Sequence, residues 1–489
     1  MKLSKILQKC QTNFLVENFF DFDVIDLSAD SRVIKNNYIF AAILGAKDNG
    51  ENYINQVIKN RKIAIIISKK STKKIKNKNT VLIRTTKVRK LFSEIASITN
   101  QNFIEEKVAI TGTNGKTSIS DYTRQIWEKL NFKTASIGTL GLIYKKKKLE
   151  ESTLTTPDPV KLNKQLNFIF KKRCEKLIVE ASSIGLEQNR LFPLKFDKVA
   201  FSNLSRDHLD YHKNFSRYKK AKSILFTELT KKNSIAIINT DNRFSNFFLN
   251  VCKKQKLKIL DYGKKGQFLK ISTLNKKKDG FEYQIFLKQK TKKVFTKAIS
   301  EYEVYNKLCS LILIFGENLK FSNFNLLKNL KNPPGRLDKI GEDWNVFIDY
   351  AHTPDALKNV LSNLKKNCKG NLFTIIGCGG NRDKEKRPMM TKEAIKLSDL
   401  VIITDDNPRN ENPAKIRKEM MKNLKKIDKK KVKEIADRKE AISFSIKLLK
   451  KNDFLLIAGK GHENYQIVGD KKYFFSDKEI AEKIISKLK

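Results

Sequence analysis

K-V-A-I-T-G-T-N-G-K-T-S, residues Lys107–Ser118, is the most informative segment of this chain. An apolar run, Val108–Ile110, leads into a loop with two glycines and a lysine, and a helix-like segment follows. Backbone amides in such a loop turn toward phosphate oxygens, and the next helix presents its positive end to them. Ile110 stands where the full P-loop pattern has its first glycine, so the match is the shorter G-x-x-G-K-[ST]. The segment predicts a phosphate-binding loop, with an ordinary strand-to-helix turn as the alternative.

Short apolar runs alternate with helix-like segments along the rest of the chain. Such runs are typical of parallel strands that are buried on both faces of a sheet. The predicted fold class is therefore α/β, with parallel sheets and crossover helices. The lysine-rich segment Lys264–Lys297 has some alternation of polar and apolar residues and predicts antiparallel strands at the edge of the middle domain. The predicted strands are Ile63–Ile67, Val108–Ile110, Leu177–Val179, Val199–Phe201, Ile235–Ile238, Val346–Ile348, Leu372–Ile376, Leu400–Ile403 and Phe454–Ile457, and the helix-like segments include Ser118–Leu130 and Tyr218–Leu229.

Two boundaries divide the chain. Its 489 residues accommodate about three domains of ordinary size. One boundary lies just before Val108, where the strand of the phosphate loop begins. The other is Asn332–Gly335, N-P-P-G, which breaks any helix and reads as a linker. We therefore predict domains at residues 1–106, 107–331 and 332–489.

The chain carries a formal net charge of +48, from 100 lysines and arginines against 52 aspartates and glutamates. Such a charge is compatible with a nucleic-acid partner. However, the lysines are spread over nearly every polar segment, and no aromatic–basic recognition motif accompanies them. We interpret the charge as a compositional bias and predict no nucleic-acid partner, although an acidic, phosphorylated substrate would still be attracted.

The cysteines and the apolar runs indicate a compartment. The six cysteines are scattered without a C-x-x-C pair, which argues against a disulfide framework or a zinc site and fits a reducing cytoplasm. The longest apolar runs, such as Leu308–Phe315, are far shorter than the roughly 20 residues of a membrane span. The first residues lack the apolar core of a signal peptide. We therefore expect a cytoplasmic protein with no membrane partner.

Polar clusters follow the predicted strands directly. Ligands of open parallel sheets bind beyond the carboxyl ends of the strands. All four histidines of the chain lie in such clusters, although a single histidine is more often structural than catalytic. Within these clusters Lys116 is placed to neutralise terminal phosphates, and Thr117 and Glu180 are placed to hold Mg²⁺. A helix-capping role for Glu180 is the alternative. The clusters are Thr111–Ser118, Glu180–Ser183, Asn203–His212, Asp349–Asp355, Gly377–Asp383, Asp405–Arg409 and Gly459–Glu463.

Taken in order, eleven strings of this sequence resemble those of the ATP-dependent Mur ligases. The resemblance extends from about Asp30 to Gln466 and is strongest to the members that add meso-diaminopimelate to UDP-N-acetylmuramoyl-L-alanyl-D-glutamate. Folylpolyglutamate synthases share the phosphate loop and the domain plan. The strings are GTNGKTS, Thr155–Pro157, EASS with Gln188 and Arg190, SNLSRDHLDYH, Tyr218 with Ala221 and Lys222, Tyr305–Asn306, Pro334–Arg336, DYAHTPD, GCGGNRDKEKRP, DDNPR and GKGHE.

The resemblance implies an architecture and a reaction. An N-terminal α/β domain would bind the UDP end of the substrate, a central P-loop-type domain would bind ATP, and a C-terminal Rossmann-like domain would bind the amino acid. ATP would phosphorylate the γ-carboxylate of the D-glutamate, and the amine of diaminopimelate would displace phosphate from this acyl phosphate. The enzyme would be an ADP-forming, Mg²⁺-dependent ligase of peptidoglycan precursor synthesis, and we expect a monomer.

The resemblance also implies roles for individual residues. Lys116, Lys222 and His208 would be catalytic, and Lys222 would carry a carbamate that binds a second magnesium beside Thr117 and Glu180. Contacts to ATP would come from Gly112, Thr113, Asn114, Gly115, Lys116, Thr117, Ser118, Asn306, Arg336, Asp349 and His352. Contacts to the UDP-muramyl dipeptide would come from Ala29, Ser31, Thr155, Thr156, Ser182, Gln188 and Arg190. Diaminopimelate would be bound by Arg382, Asp406, Asn407, Pro408, Arg409, Gly459 and Glu463.

The choice of amino acid depends on Asp406–Arg409, which has the D-[ND]-P-R motif of the diaminopimelate-adding members. A guanidinium binds a carboxylate at two points, and lysine has no distal carboxylate to offer. Taken alone, the same residues could be a turn with an exposed arginine. Three places depart from the family pattern: Ile184 replaces a histidine, Glu303 replaces an asparagine, and the loop Ala46–Asp48 has an uncommon sequence from which we infer no contact.

Three functions therefore compete. The first is the diaminopimelate-adding ligase. The second is another amide ligase of the same plan, either a lysine-adding Mur ligase or an enzyme like folylpolyglutamate synthase. The third is a basic P-loop ATPase that depends on nucleic acid, which only the net charge favours.

Overall fold

The computed structural model of the chain describes residues 1–45, 48–100, 103–152, 154–341 and 343–488. Ala46 and Lys47, in the uncommon loop noted above, lie outside these residues. Within the described ranges the strands form three large sheets, of five, eleven and six strands, and one two-stranded hairpin. No helix in this part of the chain is long and apolar enough to cross a bilayer. The predicted α/β class is confirmed.

The N-terminal sheet has the strand order β1-β5-β4-β3-β2. Its strands are parallel except for β1, which pairs with β5 in the antiparallel sense. Its strands are β1 (Leu15–Glu17), β2 (Asp26–Ser28), β3 (Tyr38–Ala41), β4 (Ile63–Ser68) and β5 (Thr80–Thr85), and its helices are α1 (Leu3–Gln8), α2 (Ile54–Ile58) and α3 (Val88–Thr99). Short 3₁₀ helices cover Ser31–Val33 and Gly50–Tyr53.

The central sheet has the order β16-β15-β14-β13-β12-β11-β6-β10-β7-β8-β9. The strands are parallel from β14 to β7 and antiparallel at both edges. The strands are β6 (Glu106–Thr111), β7 (Thr134–Gly138), β8 (Gly141–Tyr144), β9 (Lys147–Glu150), β10 (Lys176–Glu180), β11 (Phe196–Phe201), β12 (Thr230–Asn239), β13 (Lys258–Gly263), β14 (Leu269–Lys277), β15 (Gly280–Leu287) and β16 (Lys290–Lys297). The helices are α4 (Lys116–Lys129), α5 (Pro159–Lys171), α6 (Ser183–Glu187), α7 (Leu209–His212), α8 (Phe215–Thr227), α9 (Ser245–Lys254) and α10 (Glu301–Phe315), with 3₁₀ turns at Gly316–Asn318 and Phe321–Leu327.

The C-terminal sheet has the order β17-β18-β22-β19-β20-β21, with β17 antiparallel and the others parallel. The hairpin β23–β24 stands apart from it. The strands are β17 (Asp338–Ile340), β18 (Val346–Asp349), β19 (Leu372–Ile376), β20 (Leu400–Ile403), β21 (Val432–Glu434), β22 (Phe454–Ala458), β23 (Tyr465–Val468) and β24 (Lys471–Phe474). The helices are α11 (Pro354–Asn367), α12 (Lys386–Leu397), α13 (Pro413–Met420), α14 (Lys426–Lys429), α15 (Arg438–Leu448) and α16 (Asp477–Ser486).

The central strands are buried on both faces, as their continuous apolar runs predict. In β6, Ala109 packs into one hydrophobic core, while Val108 and Ile110 pack into the core on the opposite face. Side chains alternate between the faces of a strand, so a strand covered on both sides must be apolar at every position. The segment Lys264–Lys297 forms β14, β15 and β16, which confirms the predicted antiparallel strands at this edge. The outermost strand β16 exposes Lys290, Lys292, Lys293 and Lys297.

Each of the nine predicted strands lies within a strand of the fold. Consequently the polar clusters do follow strand ends, and Glu180 is itself the last residue of β10. Except for Glu106, the first residue of β6, each large sheet takes its described strands from one of the three segments that were predicted as domains. The positions of the domain boundaries remain a prediction.

A buried ion pair joins α15 to α16 behind the C-terminal sheet. The Arg438 guanidinium donates to both carboxylate oxygens of Asp477, at 2.7 and 2.8 Å, and also to the carbonyl of Ala458 at 2.9 Å. Both side chains are fully buried. Removing one partner of such a pair leaves an uncompensated charge in the interior.

We predict that Asp477→Ala lowers the free energy of unfolding by about 3–5 kcal/mol, because it leaves the buried Arg438 guanidinium without its carboxylate partner. Lys365→Ala is the control, since it breaks the exposed Lys365–Asp399 pair and is expected to cost less than about 1 kcal/mol. Urea unfolding followed by tryptophan fluorescence measures both, because Trp344 packs in the core that contains α15 and α16. Equal decreases in the free energy of unfolding of the two variants would show that the buried pair is no more important to stability than the exposed pair.

Candidate active site

The loop between β6 and α4 has the geometry of a phosphate cradle. Gly115 precedes α4 with a φ of +88°, a left-handed conformation that favours glycine. A Cβ there would approach the Asn306 side-chain oxygen to 2.7 Å, so the glycine also admits Asn306 to the loop. Lys116 bends back over the loop, where its Nζ donates to the carbonyls of Gly112 at 2.8 Å and Thr113 at 3.0 Å. Burial lowers the pKa of this lysine.

Glu180 is the hydrogen-bonding centre of the site. Its buried carboxylate accepts hydrogen bonds from the Thr117 hydroxyl at 3.0 Å and from the backbone and hydroxyl of Thr139 at 2.9 and 3.0 Å. Burial raises the pKa of Glu180, and the nearby Lys116 acts against this shift. A Cβ on Gly138 would lie 2.2 Å from a Glu180 oxygen, so only glycine fits there. Hence Glu180 is more than the helix cap that was its alternative interpretation.

Lys222 projects from α8 to the same loop. Its Nζ donates to the Gly112 carbonyl at 2.8 Å, and the side chain is fully buried. Burial and the neighbouring charge of Lys116 hold the pKa of Lys222 well below its usual value. The sequence alone marks this residue only as one more lysine on a basic helix; the surroundings favour a neutral, nucleophilic amine.

The donors at this site suit Mg²⁺. Mg²⁺ prefers oxygen ligands and is usually held by one or two carboxylates together with substrate phosphates. The Thr117 hydroxyl and the Glu180 carboxylate are such oxygens, and they lie beside the phosphate loop. Within the described ranges no group of three or more His, Cys, Asp or Glu side chains is arranged to hold a metal ion without other ligands. A magnesium ion here would therefore depend on substrate oxygens.

A cavity of about 620 Å³ lies between the central and C-terminal sheets, next to the phosphate loop. Arg336 reaches across from the C-terminal side to donate to the Thr117 hydroxyl at 3.3 Å, and Asn114 donates to Asp355 at 3.3 Å. Asp349 uses both carboxylate oxygens to accept from the backbone of Leu337 and Ala351, at 2.8 and 2.7 Å. Of the residues predicted to contact ATP, the cavity is lined by Asn114, Gly115, Ser118, Asn306, Arg336 and Asp349.

Two of the four histidines meet at one buried carboxylate. An Asp207 carboxylate oxygen lies 3.3 Å from His208 Nε2 and 3.8 Å from His352 Nε2. His208 follows a strand of the central sheet and His352 follows a strand of the C-terminal sheet, so Asp207 faces one histidine from each of these two parts. Burial lowers the pKa of His208 to about 3 and that of His352 to about 4, which keeps both rings neutral at pH 7. His212 lies elsewhere, against Ser183 at 2.9 Å. Sequence reasoning missed Asp207, although it precedes His208 in the same string.

Five of the residues predicted for the UDP-muramyl dipeptide form one network beside Glu180. The Thr156 hydroxyl lies 3.0 Å from that of Ser182 and donates to the Glu180 carbonyl at 2.7 Å. Arg190 donates to the Thr156 carbonyl at 2.8 Å, and its guanidinium binds Gln188 at 2.7 and 3.1 Å. The Thr155 hydroxyl lies 3.2 Å from that of Thr139, whose proton is donated to Glu180. Ala29 and Ser31 lie outside this network, after β2 of the N-terminal sheet.

The residues predicted for diaminopimelate also gather, at the ends of β20 and β22. Asn407 donates to Glu463 Oε2 at 3.0 Å, while Arg409 donates to the Gly380 carbonyl at 3.0 Å. Burial and the charge of Arg382 lower the pKa of Arg409. A Cβ on Gly459 would approach an Asp406 carboxylate oxygen to 2.9 Å. Pro408 lies between Asn407 and Arg409 in this loop.

A small cavity of about 90 Å³ joins the two groups. Its wall combines Thr155 from the central part with Glu463 from the C-terminal part. Tyr350 and His462 also line it. One residue of the network beside Glu180 and one residue predicted to bind diaminopimelate therefore line the same small cavity.

The departures from the family pattern have local explanations. Glu303 accepts from the backbone of Ile299 at 2.8 Å and pairs with Lys307 at 2.6 Å, so it stabilises the first turn of α10. Ile184 lies in the short helix α6, whose N-cap Ser182 accepts from Gly185. Neither departure disturbs the bonds around Glu180.

Comparison with known proteins agrees with this geometry. Residues 110–314 match the Mur ligase middle domain, and residues 335–461 match the glutamate ligase domain of the Mur ligases. This chain belongs to the Mur ligase family.

The relatives of this Mur ligase match it over nearly its whole length. It is 38% identical to the UDP-N-acetylmuramoyl-L-alanyl-D-glutamate–2,6-diaminopimelate ligase of Rickettsia bellii over 476 residues, 96% of this chain and 98% of the relative. It is 35% identical to the ligase of the same name from Brucella melitensis, over 96% of this chain and 95% of the relative. A solved structure of a ligase with this name superposes with a TM-score of 0.63 at 30% identity, covering 95% of both chains.

Several side chains of this Mur ligase were not predicted from its sequence. Thr139 makes two of the hydrogen bonds to Glu180, and Lys460 lies buried beneath Glu463. Thr139 follows the end of β7, which is not among the predicted strands, so a search of the predicted strand ends would not have found it. Lys460 is within the GKGHE string, but the string does not reveal that its lysine points inward.

Proposed function

We propose that this Mur ligase adds meso-diaminopimelate to the D-glutamate of UDP-N-acetylmuramoyl-L-alanyl-D-glutamate, with cleavage of ATP to ADP and phosphate. The observation that carries the proposal is the convergence of three sites. The phosphate loop lines the larger cavity between the two sheets, and the smaller cavity is lined by Thr155 of the network beside Glu180 and by Glu463 of the proposed amino-acid pocket. The names of its relatives support the same reaction.

The reaction needs an activated carboxylate. A carboxylate is a poor electrophile, and phosphorylation of the γ-carboxylate gives it a leaving group. The amine of diaminopimelate then attacks the acyl carbon, the C–O bond to phosphate breaks, and phosphate leaves with the electron pair while the amine loses a proton. Such transfers depend mainly on positioning and on neutralisation of phosphate charge.

We propose these roles for the phosphate side of the site. Lys116 binds the terminal phosphates of ATP, and the backbone of Gly112–Ser118 cradles them. Asn306, Arg336, Asp349 and His352 complete the nucleotide site, while His208 lies beside the reacting phosphate. Thr117 and Glu180 hold Mg²⁺, which neutralises phosphate charge when bound. Lys222 becomes a carbamate and supplies a further ligand; its depressed pKa supports this, because only a neutral amine reacts with carbon dioxide.

We propose that the acceptor substrate lies along the network beside Glu180. Thr155, Thr156, Ser182, Gln188 and Arg190 bind its peptide and sugar portion, and Ala29 and Ser31 contact it from the N-terminal sheet. The amino-acid pocket consists of Arg382, Asp406, Asn407, Pro408, Arg409, Gly459 and Glu463. The Arg409 guanidinium binds the distal carboxylate, and Glu463 binds an ammonium group.

The wider organisation follows from the same proposal. Residues 1–106 bind the UDP end, residues 107–331 bind ATP, and residues 332–489 bind the amino acid. All six cysteines are free, which supports a reducing, cytoplasmic compartment. We propose a monomer without a nucleic-acid or membrane partner.

The other functions are less well supported. In a lysine-adding ligase Arg409 would have no distal carboxylate to bind, because lysine has only its α-carboxylate. Folate-type ligases share the fold, but the relatives that match 96% of this chain carry the diaminopimelate name. Membership of the Mur ligase family argues against an ATPase that depends on nucleic acid.

Phosphate release by the purified enzyme tests the proposal. We expect release only when the UDP-muramyl dipeptide and meso-diaminopimelate are both present with ATP and Mg²⁺, together with a product peptide longer by one residue. L-Lysine is the matched comparison, since it keeps the amines and lacks the distal carboxylate. Equal rates with lysine, or no ATP cleavage with the full mixture, would overturn the proposal.

Arg409→Ala should raise the KM for meso-diaminopimelate by about 10- to 100-fold, because it removes charge-assisted hydrogen bonds to the distal carboxylate. Arg409→Lys is the matched variant; it keeps the charge but not the two-pronged geometry, so we expect an intermediate KM. The KM for ATP should not change in either variant. An Arg409→Ala enzyme with the normal KM for diaminopimelate would exclude the proposed contact.

Lys222→Ala should abolish phosphate release, and small carboxylates such as formate or acetate should restore part of it by occupying the place of the carbamate. Lys220→Ala is the control on the same helix, because Lys220 is exposed and should be dispensable. Activity of Lys222→Ala without any carboxylate would show that the lysine is no metal ligand.

A further inference from the structure

Lys460 is a fully buried cation under the amino-acid pocket, and the proposed reaction gives it no role. Its Nζ donates to Asn407 Oδ1 at 3.2 Å and lies 3.7 Å from Glu463 Oε2. The rings of Tyr465 and Phe475 flank the ammonium, with centroids at 5.7 and 5.9 Å. The lysine thus touches two residues that are predicted to bind diaminopimelate.

A charge at this depth requires a compensating partner. Burial of an isolated ammonium is strongly unfavourable unless opposite charges and hydrogen bonds surround it. The Asp406 carboxylate lies close enough to Glu463 to raise the pKa of Glu463, in addition to the larger effect of burial. Like charges in a buried site oppose each other's ionisation. The positive charge of Lys460 acts on both carboxylates, those of Asp406 and Glu463, and offsets this repulsion.

The lysine also fixes the direction of the Asn407 amide. Asn407 Oδ1 accepts from Lys460 Nζ and from the backbone N–H of Ile467, the latter at 3.0 Å. With its oxygen held by two donors, the amide must direct its NH₂ group elsewhere, and this group donates to Glu463 Oε2 at 3.0 Å. One ammonium therefore acts on Glu463 twice, by direct attraction and through Asn407.

We propose that Lys460 is a positioning residue for amino-acid binding: it keeps Glu463 ionised and oriented toward the ammonium group of the incoming diamino acid. The inference rests on the proposed function. It predicts that Lys460 controls the affinity for the amino acid and leaves the ATP site unaffected, since its contacts all lie in the C-terminal pocket.

The pH dependence separates this role from a merely structural one. Glu463 is faced by Asp406 and Arg409 from the loop after β20, by Tyr350 from the loop after β18, by Arg438 from α15, and by Lys460 and Tyr465 from its own segment. Burial already raises the pKa of Glu463, and Lys460 acts against that shift. Without Lys460 the pKa of Glu463 rises further, so the Glu463 carboxylate becomes protonated at a higher pH.

The experiment measures the KM for meso-diaminopimelate in the wild-type enzyme and in Lys460→Met between pH 6.5 and 8.5. We expect the variant at pH 7 to have a KM raised by about 30-fold, the value for loss of hydrogen bonds to charged groups, with kcat at saturation within about threefold of the wild type. Its KM should fall as the pH rises, because Glu463 ionises again, while the wild-type KM stays flat. Lys451→Met is the matched control, since Lys451 is exposed on the same domain.

The outcomes are separable. An unchanged KM for diaminopimelate in Lys460→Met, or a KM for ATP that rises with it, would overturn the inference. If Lys460→Met does not fold, Lys460→Gln takes its place, because glutamine keeps a hydrogen-bond donor toward Asn407. Independently of any variant, a wild-type KM for diaminopimelate that varies over this pH range would refute an ionised Glu463. A wild-type enzyme inactive with diaminopimelate would instead refute the proposed function.

Discussion

The burial of one carboxylate, that of Glu180, is the constraint on which the rest of the site depends. Glu180 ends a central strand, and three hydrogen bonds reach its carboxylate, from Thr117 in the first turn of α4 and from Thr139 after β7. Those bonds offset the cost of removing a charge from water. They also fix the start of α4 relative to β7 and β10. The phosphate loop and the network of Thr156 and Ser182 are therefore both held in position relative to Glu180.

The second condition is the contact between two sheets. Arg336 and Asp355 come from the C-terminal part, yet they bind Thr117 and Asn114 at the phosphate loop. Asp207 likewise faces a histidine from each part. These contacts around the phosphate loop therefore need residues from both the central and the C-terminal part of the chain.

Much of this was predictable from the sequence, for a physical reason. Strands buried on both faces must be apolar at every position, so Val108–Ile110 and Leu372–Ile376 are visible as continuous runs, and the polar residues after them mark the functional edge. Glycines such as Gly115 mark the loop, because other residues disfavour its left-handed backbone. The resemblance to the Mur ligases then supplied the predicted roles of Lys222 and of the residues assigned to the amino acid, which no local pattern distinguishes.

What the sequence could not reveal is which polar residues turn inward. Lys460 and Asp207 resemble many other charged residues of a chain with 100 lysines and arginines. Their burial depends on packing between segments far apart in sequence, such as Asn407 with Lys460 or Asp207 with His352. Thr139 is a different case, since it follows β7, a strand that was not predicted from the sequence.

The lysines of β16 give the compositional bias a physical consequence. An unpaired edge strand invites a second chain to extend the sheet, and natural proteins discourage this with charged side chains. Here four exposed ammonium groups line an eight-residue edge of an eleven-stranded sheet. Two copies approaching edge to edge would repel each other, so an excess of lysine with no part in catalysis insulates the sheet against self-association, most effectively where little salt screens the charge.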